Sequence, residues 1–173
     1  DTHFFSAMAT IRSLRNVWSR VLNQCGVTNP DTAAWIHVLP SRRVLTQRDP
    51  WVNQLRNTAC CFAGAVAGAD AITTLPHDGE YAAPSSFSAR VARNTHNVLQ
   101  AESHLSRVID AAGGAYFIET MTEALSSRGW SYFTEIESKG GMEAAYRDGV
   151  IASDIETVVS SRDDQIAKRK QPI

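Results

Sequence analysis

The chain has 173 residues, with 17 Lys+Arg against 18 Asp+Glu and a formal net charge of −1. This suffices for one domain but falls short of the roughly 200 residues of a closed (β/α)8 barrel. The balanced charge gives no electrostatic footprint for nucleic acid or an anionic lipid surface, and no apolar run approaches the ~20 residues of a membrane span.

Taken in order, the chain opens with apolar residues at Phe4, Met8, Ile11, Leu14, Trp18, Val21 and Leu22. That spacing predicts a helix to Gln24, with Arg12, Arg15 and Arg20 on its remaining surface. Arg lies inside this amphipathic pattern, which is no secretory signal. A start without Met reads as a fragment or a processed product. Gly26 is a helix stop and Asn29-Pro30 a turn. Ala34–Leu39 reads as a short buried strand ended by Pro40, and Ser41–Arg48 as the loop after it. Asp49-Pro50 predicts a helix start, because Asp can accept free N–H groups and Pro has none to leave unpaired. The helix from Pro50 to Ala67 is expected to bury Trp51, Leu55, Cys60 or Phe62, and Val66. Its Ala59, Ala63, Gly64 and Ala67 allow close approach to a sheet. Ala71–Leu75, stopped by Pro76, reads as a second buried strand.

After the loop Pro76–Glu80, Ser85 or Ser86 is expected to cap a helix reaching about Glu102. Ala111–Gly114 is a turn. Thr120-x-x-Glu123 and Ser153-x-x-Glu156 have the form of capping boxes and predict two further helix starts, with a short helix Met142–Asp148 between them. The tail KRKQPI is expected to fray. Two strands make no stable sheet alone, so a missing strand or another chain is needed to complete it. The two strands are expected to be parallel neighbours, because a helix of suitable length joins them.

Helix, strand, loop, helix is the unit of parallel α/β folds, in which ligands gather at the loops after the strands. Those loops carry the candidate site residues Ser41, Arg42 and His77. Ser41 with Arg42 and Arg43 could hold a phosphate or carboxylate; the alternative is a solvated loop. His77 with Asp78 could act as an acid–base pair; the alternative is a hydrogen bond that stiffens a Pro/Gly turn. His37 reads best as a hydrogen-bonded core histidine. His96 and His104 show no third metal ligand. Gly113-Gly114 lacks the spacing of a phosphate-binding fingerprint. Asp1-Thr2-His3-Phe4-Phe5-Ser6 approaches the Asp-x-His-x-x-Gly pattern of cobalt-ligating cobalamin domains. Ser6 replaces its Gly and no strand precedes it, so it reads as a coincidence. The three cysteines, Cys25, Cys60 and Cys61, form no Cys-x-x-Cys pair. Cys60 and Cys61 read as small buried side chains, and the pattern fits a reducing, cytoplasmic compartment.

Several ordered segments resemble one family. They are Ala9–Arg15 (ATIRSLR), Asp49–Thr58 (DPWVNQLRNT), Gly68–Asp78 (GADAITTLPHD), Phe87–Thr95 (FSARVARNT), Glu102–Asp110 (ESHLSRVID) and Gly113–Glu119 (GGAYFIE). With Glu135–Glu137 and Gly140-Gly141, they are similar to the C-terminal part of the substrate barrel of methylmalonyl-CoA mutase. The resemblance covers nearly the whole chain. It implies an α/β fold, the C-terminal part of a (β/α)8 TIM barrel with two to three parallel strands and flanking helices, followed by extra helices. Residues 1–110 would be the barrel units and 111–173 the helical extension. The family's catalytic chain has polar side chains at the positions of Ala69 and Ala71, and alanine cannot hydrogen-bond a thioester or carboxylate. The segment therefore resembles the small, non-catalytic subunit.

The resemblance implies a structural subunit that supports a catalytic large subunit in a heterodimer interconverting methylmalonyl-CoA and succinyl-CoA. Adenosylcobalamin is then expected on the partner chain, with no cofactor, metal or catalytic residue on this one. Self-association through open strand edges is a further expectation. The alternative is a catalytic segment of a related acyl-CoA mutase, with Ser41, Arg42 and His77 at the barrel mouth.

Overall fold

The computed structural model describes residues 3–170. It is a mixed α/β structure with more helix than strand. The elements run α1 (Phe4–Gln24), β1 (His37–Val38), α2 (Val52–Val66), β2 (Ala71–Ile72), α3 (Ser86–Asn97), α4 (Tyr116–Ser138), α5 (Gly141–Arg147) and α6 (Val150–Ala167). The chain forms two compact units that divide between Ser126 and Ser127.

In the first unit, α1 follows its apolar spacing and packs on α2. Met8, Ala63, Val66, Ala67, Ala112 and Ile118 form the core, with Ile11, Phe62 and Leu105 against it. Phe4 stacks on Phe62 at 6.1 Å, and Phe5 meets Phe117 edge-on at 5.4 Å. Arg12 bonds Asp110 and, at 2.9 Å, Glu119. It thereby ties α1 to the turn before α4.

The strands are parallel neighbours, with His37 opposite Ala71 and Val38 opposite Ile72. The ladder is shorter than the apolar runs suggested. Ile36 O accepts from the Asp70 and Ala71 N–H groups, and Val38 O from Thr73 N–H. A strand extends only where a neighbour offers matching groups, and here each strand has one such neighbour among the described residues. Gly68, at φ +79°, lets α2 turn sharply into β2. Its N–H bonds Ala65 O, and Ala69 N–H bonds Gly64 O, which satisfies the helix's last carbonyls. The small stripe of α2 does approach the sheet closely. A Cβ on Gly64 would lie 2.9 Å from Val38 Cγ2 and 3.3 Å from Ile72 Cδ1.

Several expectations are corrected. Asp49 has φ +48°, and α2 begins at Val52 with no side-chain cap. Asp49 contributes its carbonyl to Val52 N–H instead. Trp51 and Leu55 are exposed; the buried stripe is Asn53, Asn57, Cys61, Gly64. Val66 is buried and Phe62 packs on the core as expected; toward its N-terminus the buried face of α2 turns to the polar residues. Cys61 is buried as expected, and Cys60 is half-buried. Ser85 caps α3, accepting from Ser88 N–H. The α-helix then widens to a π-helical turn at Val98–Glu102. Neither proposed capping box starts a helix. Thr120 and Ser153 lie inside α4 and α6, which begin at Tyr116 and, after Gly149, at Val150.

In the second unit, Tyr132 donates to Asp154 at 2.8 Å, joining the end of α4 to α6. Ala145 of α5 is buried. Lys139–Glu135 and Arg147–Glu143 are exposed pairs four residues apart. Ile155, Val158 and Val159 of α6 are exposed.

Replacing Gly64 by Leu should push Val38 and Ile72 off α2 and cost about 1–3 kcal/mol, the usual range for overpacking. A thermal melt checks this; an unchanged or raised midpoint would contradict the close approach.

Candidate functional site

Parallel strands bring the loops after β1 and β2 to the same end of the sheet. Arg42 Nε lies 3.5 Å from Glu80 Oε1, which links the two loops. Ser41 is occupied locally, its Oγ accepting from Arg43 N–H at 3.3 Å at the start of a 3-10 turn. His77 is 5% exposed. Its ring stacks on Trp51 at 4.8 Å and meets Phe87 edge-on at 6.5 Å. Its Nδ1 lies 3.4 Å from Gln54 Nε2. The three sequence candidates therefore share one end of the sheet, but they do not converge on one open point.

Among the described residues, no hydrogen bond joins His77 to Asp78. Asp78 accepts the Ser85 N–H at 3.2 Å and so anchors the loop to the start of α3. Burial works against its charge, yet the polar surroundings of Ser88 and Ser85 outweigh that and hold its carboxyl below the usual range. Asp78 Oδ1 is buried and finds no donor among the described residues.

His37 is a correction. It is hydrogen-bonded, with Nε2 2.8 Å from Thr73 Oγ1, but exposed. It lies on the sheet face opposite α2, beside exposed Trp35 and Leu39. The reason is alternation: Val38 and Ile72 face Gly64 of α2, so His37 must face away. His96 and His104 also separate. His96 bonds Thr74 at 2.8 Å and lies 3.5 Å from Cys61 Sγ, while His104 lies beyond the π-turn in a left-handed conformation. Desolvation raises the Cys61 thiol and favours the neutral form. Among the described residues, no three His, Cys, Asp or Glu gather as a metal site. Asp1 and Thr2 of the cobalamin-like segment lie outside the described residues; His3 precedes the first turn of α1.

The residues that shape this end of the sheet were missed. Asn53 is fully buried. It accepts from Thr46 N–H at 3.0 Å and donates to Thr46 O at 2.9 Å and His77 O at 3.0 Å. Asn57 donates to Leu75 O at 2.7 Å. One turn apart on α2, the two asparagines hold the loops after both strands. Extending the small-residue stripe of α2 toward its N-terminus, through positions 64, 61, 57 and 53, would have found them.

A helix-covered parallel strand pair with loops gathered at one end is the local plan of an α/β protein. A family model described as methylmalonyl-CoA mutase matches residues 1–173. The chain is 42% identical over 169 residues to the methylmalonyl-CoA mutase small subunit of Streptomyces virginiae, covering 98% of this chain and 27% of that protein. It is 37% identical over 170 residues to that of Propionibacterium freudenreichii subsp. shermanii, covering 98% and 27%. A protein named methylmalonyl-CoA mutase from Cereibacter sphaeroides is 31% identical over 172 residues, covering 99% and 24%. The chain belongs to the methylmalonyl-CoA mutase family. It spans about a quarter of the length of these relatives.

Replacing Asn53 by Ala leaves Thr46 N–H and His77 O without partners and should cost about 2 kcal/mol or more. Denaturant unfolding measures it, and a loss below about 0.5 kcal/mol would mean these loops do not depend on Asn53.

Proposed function

We propose that this chain is part of a structural small subunit that supports the catalytic large subunit of a methylmalonyl-CoA mutase. The whole enzyme interconverts methylmalonyl-CoA and succinyl-CoA in this reading. The observation that carries it is the match to relatives named small subunit across 98% of the chain. Residues 1–110 are assigned to the C-terminal βα units of a TIM-type barrel, and 111–173 to a helical extension. The large subunit is the partner in a heterodimer, and the setting is cytoplasmic. Where that partner is missing, open strand edges favour self-association.

The geometry supports a scaffolding role at the barrel mouth. Ser41 Oγ accepts the Arg43 N–H, Arg42 faces Glu80, and His77 is packed between aromatic rings. Ala71 stands opposite His37 with no polar atom to offer a substrate. The catalytic reading would need Ser41, Arg42 and His77 to face an acyl-CoA together, which this arrangement does not favour.

When bound, adenosylcobalamin supplies the radical chemistry of such an enzyme. Among the described residues, His37, His77 and His96 each lie against a neighbouring polar side chain, which supports placing the cofactor elsewhere. In this reading the cofactor belongs to the partner.

The test is methylmalonyl-CoA turnover with added adenosylcobalamin, by the protein alone and mixed with a catalytic large subunit. The protein alone should match a no-protein control, and the mixture should show a raised melting temperature for the large subunit, because a partner that binds only the folded state stabilises it. Turnover by the protein alone would overturn the reading in favour of the catalytic one.

A further inference from the structure

Behind the candidate loops, where α2, the end of the second strand and α3 meet, lies a cavity of about 10 Å3. Its polar lining comes from Gln54, Asn57, Thr74, His77, Ser88 and Thr95. Asn57 is 2% exposed. Its Nδ2 donates to Leu75 O at 2.7 Å, which fixes the amide's orientation. Turned around, it would set oxygen against oxygen. Asn57 Oδ1 is thus held in the interior, and no donor among the described residues reaches it. A buried amide oxygen without a donor is costly, and native structures rarely leave one so.

We propose that this cavity is a binding site for one water molecule, held by Asn57 Oδ1. The size fits: a single water needs roughly 10–15 Å3 on this measure. The chemistry fits as well. The lining mixes these polar groups with Leu75, Val91 and Ala92; its amides, hydroxyls and one imidazole suit a neutral ligand that both donates and accepts. Ser88 Oγ donates to Ser85 O, and Thr95 Oγ1 to Val91 O. Each hydroxyl oxygen keeps a lone pair as an acceptor. Gln54 places one amide hydrogen near His77 Nδ1 and has a second to give. The water donates one hydrogen to Asn57 Oδ1 and the other to a lining hydroxyl, and accepts from Gln54. Three bonds are the usual complement of a buried water. The molecule joins α2 to α3 directly behind the loop that carries His77.

A crystal structure of the protein at a resolution that shows ordered water tests this, together with the near-isosteric variant Asn57→Leu. The expected result is one water peak within hydrogen-bond reach of Asn57 Oδ1 and of at least one further lining group, lost in the variant. A wild-type cavity without a peak, an Asn57 amide turned around, or a peak that survives in the variant would each overturn the proposal. Should the variant fail to fold, the wild-type map decides alone.

Discussion

Everything at the sheet depends on one junction between an arginine and an aspartate. Arg15 of α1 donates to Ala34 O and Gly68 O at 2.7 Å each and to Asp70 Oδ2 at 2.6 Å. The same Asp70 oxygen accepts the Ile36 N–H at 2.7 Å. One guanidinium thus reaches the approach to β1, the end of α2 and the entry to β2. A two-residue ladder has little register information of its own, and a one-residue slip would turn every side chain to the other face. The junction supplies what the ladder lacks. The Ile36 N–H is the largest influence on the Asp70 carboxyl, and with Arg15 it holds that carboxyl below its usual range. Both side chains are about one-third exposed, so the value of the contact lies in its geometry more than in raw Coulomb energy.

With register set, α2 can do two things at once. Its C-terminal half is small enough to lie on Val38 and Ile72. Its N-terminal half puts Asn53 and Asn57 under the loops that follow the strands. Those loops are wired to their own scaffold, with Asp78 fastened to the start of α3. Side chains held this way can shape a mouth. That is the physical basis of the supporting role proposed for this chain.

Much of the fold was legible because apolar periodicity survives in the helices. The spacing from Phe4 to Leu22 described α1, and the runs ending at Pro40 and Pro76 located both strands and their parallel pairing. Three things were not legible, each for a reason. The N-terminal half of α2's buried face was misplaced because its buried positions there are asparagines whose burial is compensated by loop carbonyls, which no hydropathy pattern signals. The capping boxes at Thr120 and Ser153 have the right local chemistry, but packing of Ile118 in the core and the turn at Gly149 start those helices earlier. His37 was placed in the core because its neighbours are apolar, yet alternation puts it on the face away from α2. For the site, the loops that carry Ser41, Arg42 and His77 share one end of the sheet. Their mutual disposition depends on Trp51, Gln54 and Glu80, distant in sequence from the residues they restrain.

The role proposed for this chain is to dock to a catalytic partner. The most direct measurement is sedimentation of an equimolar mixture of the protein and a catalytic methylmalonyl-CoA mutase large subunit. The account predicts a single one-to-one complex that sediments faster than either component. Two independent boundaries at the positions of the separate proteins, at concentrations where both are folded, would contradict it.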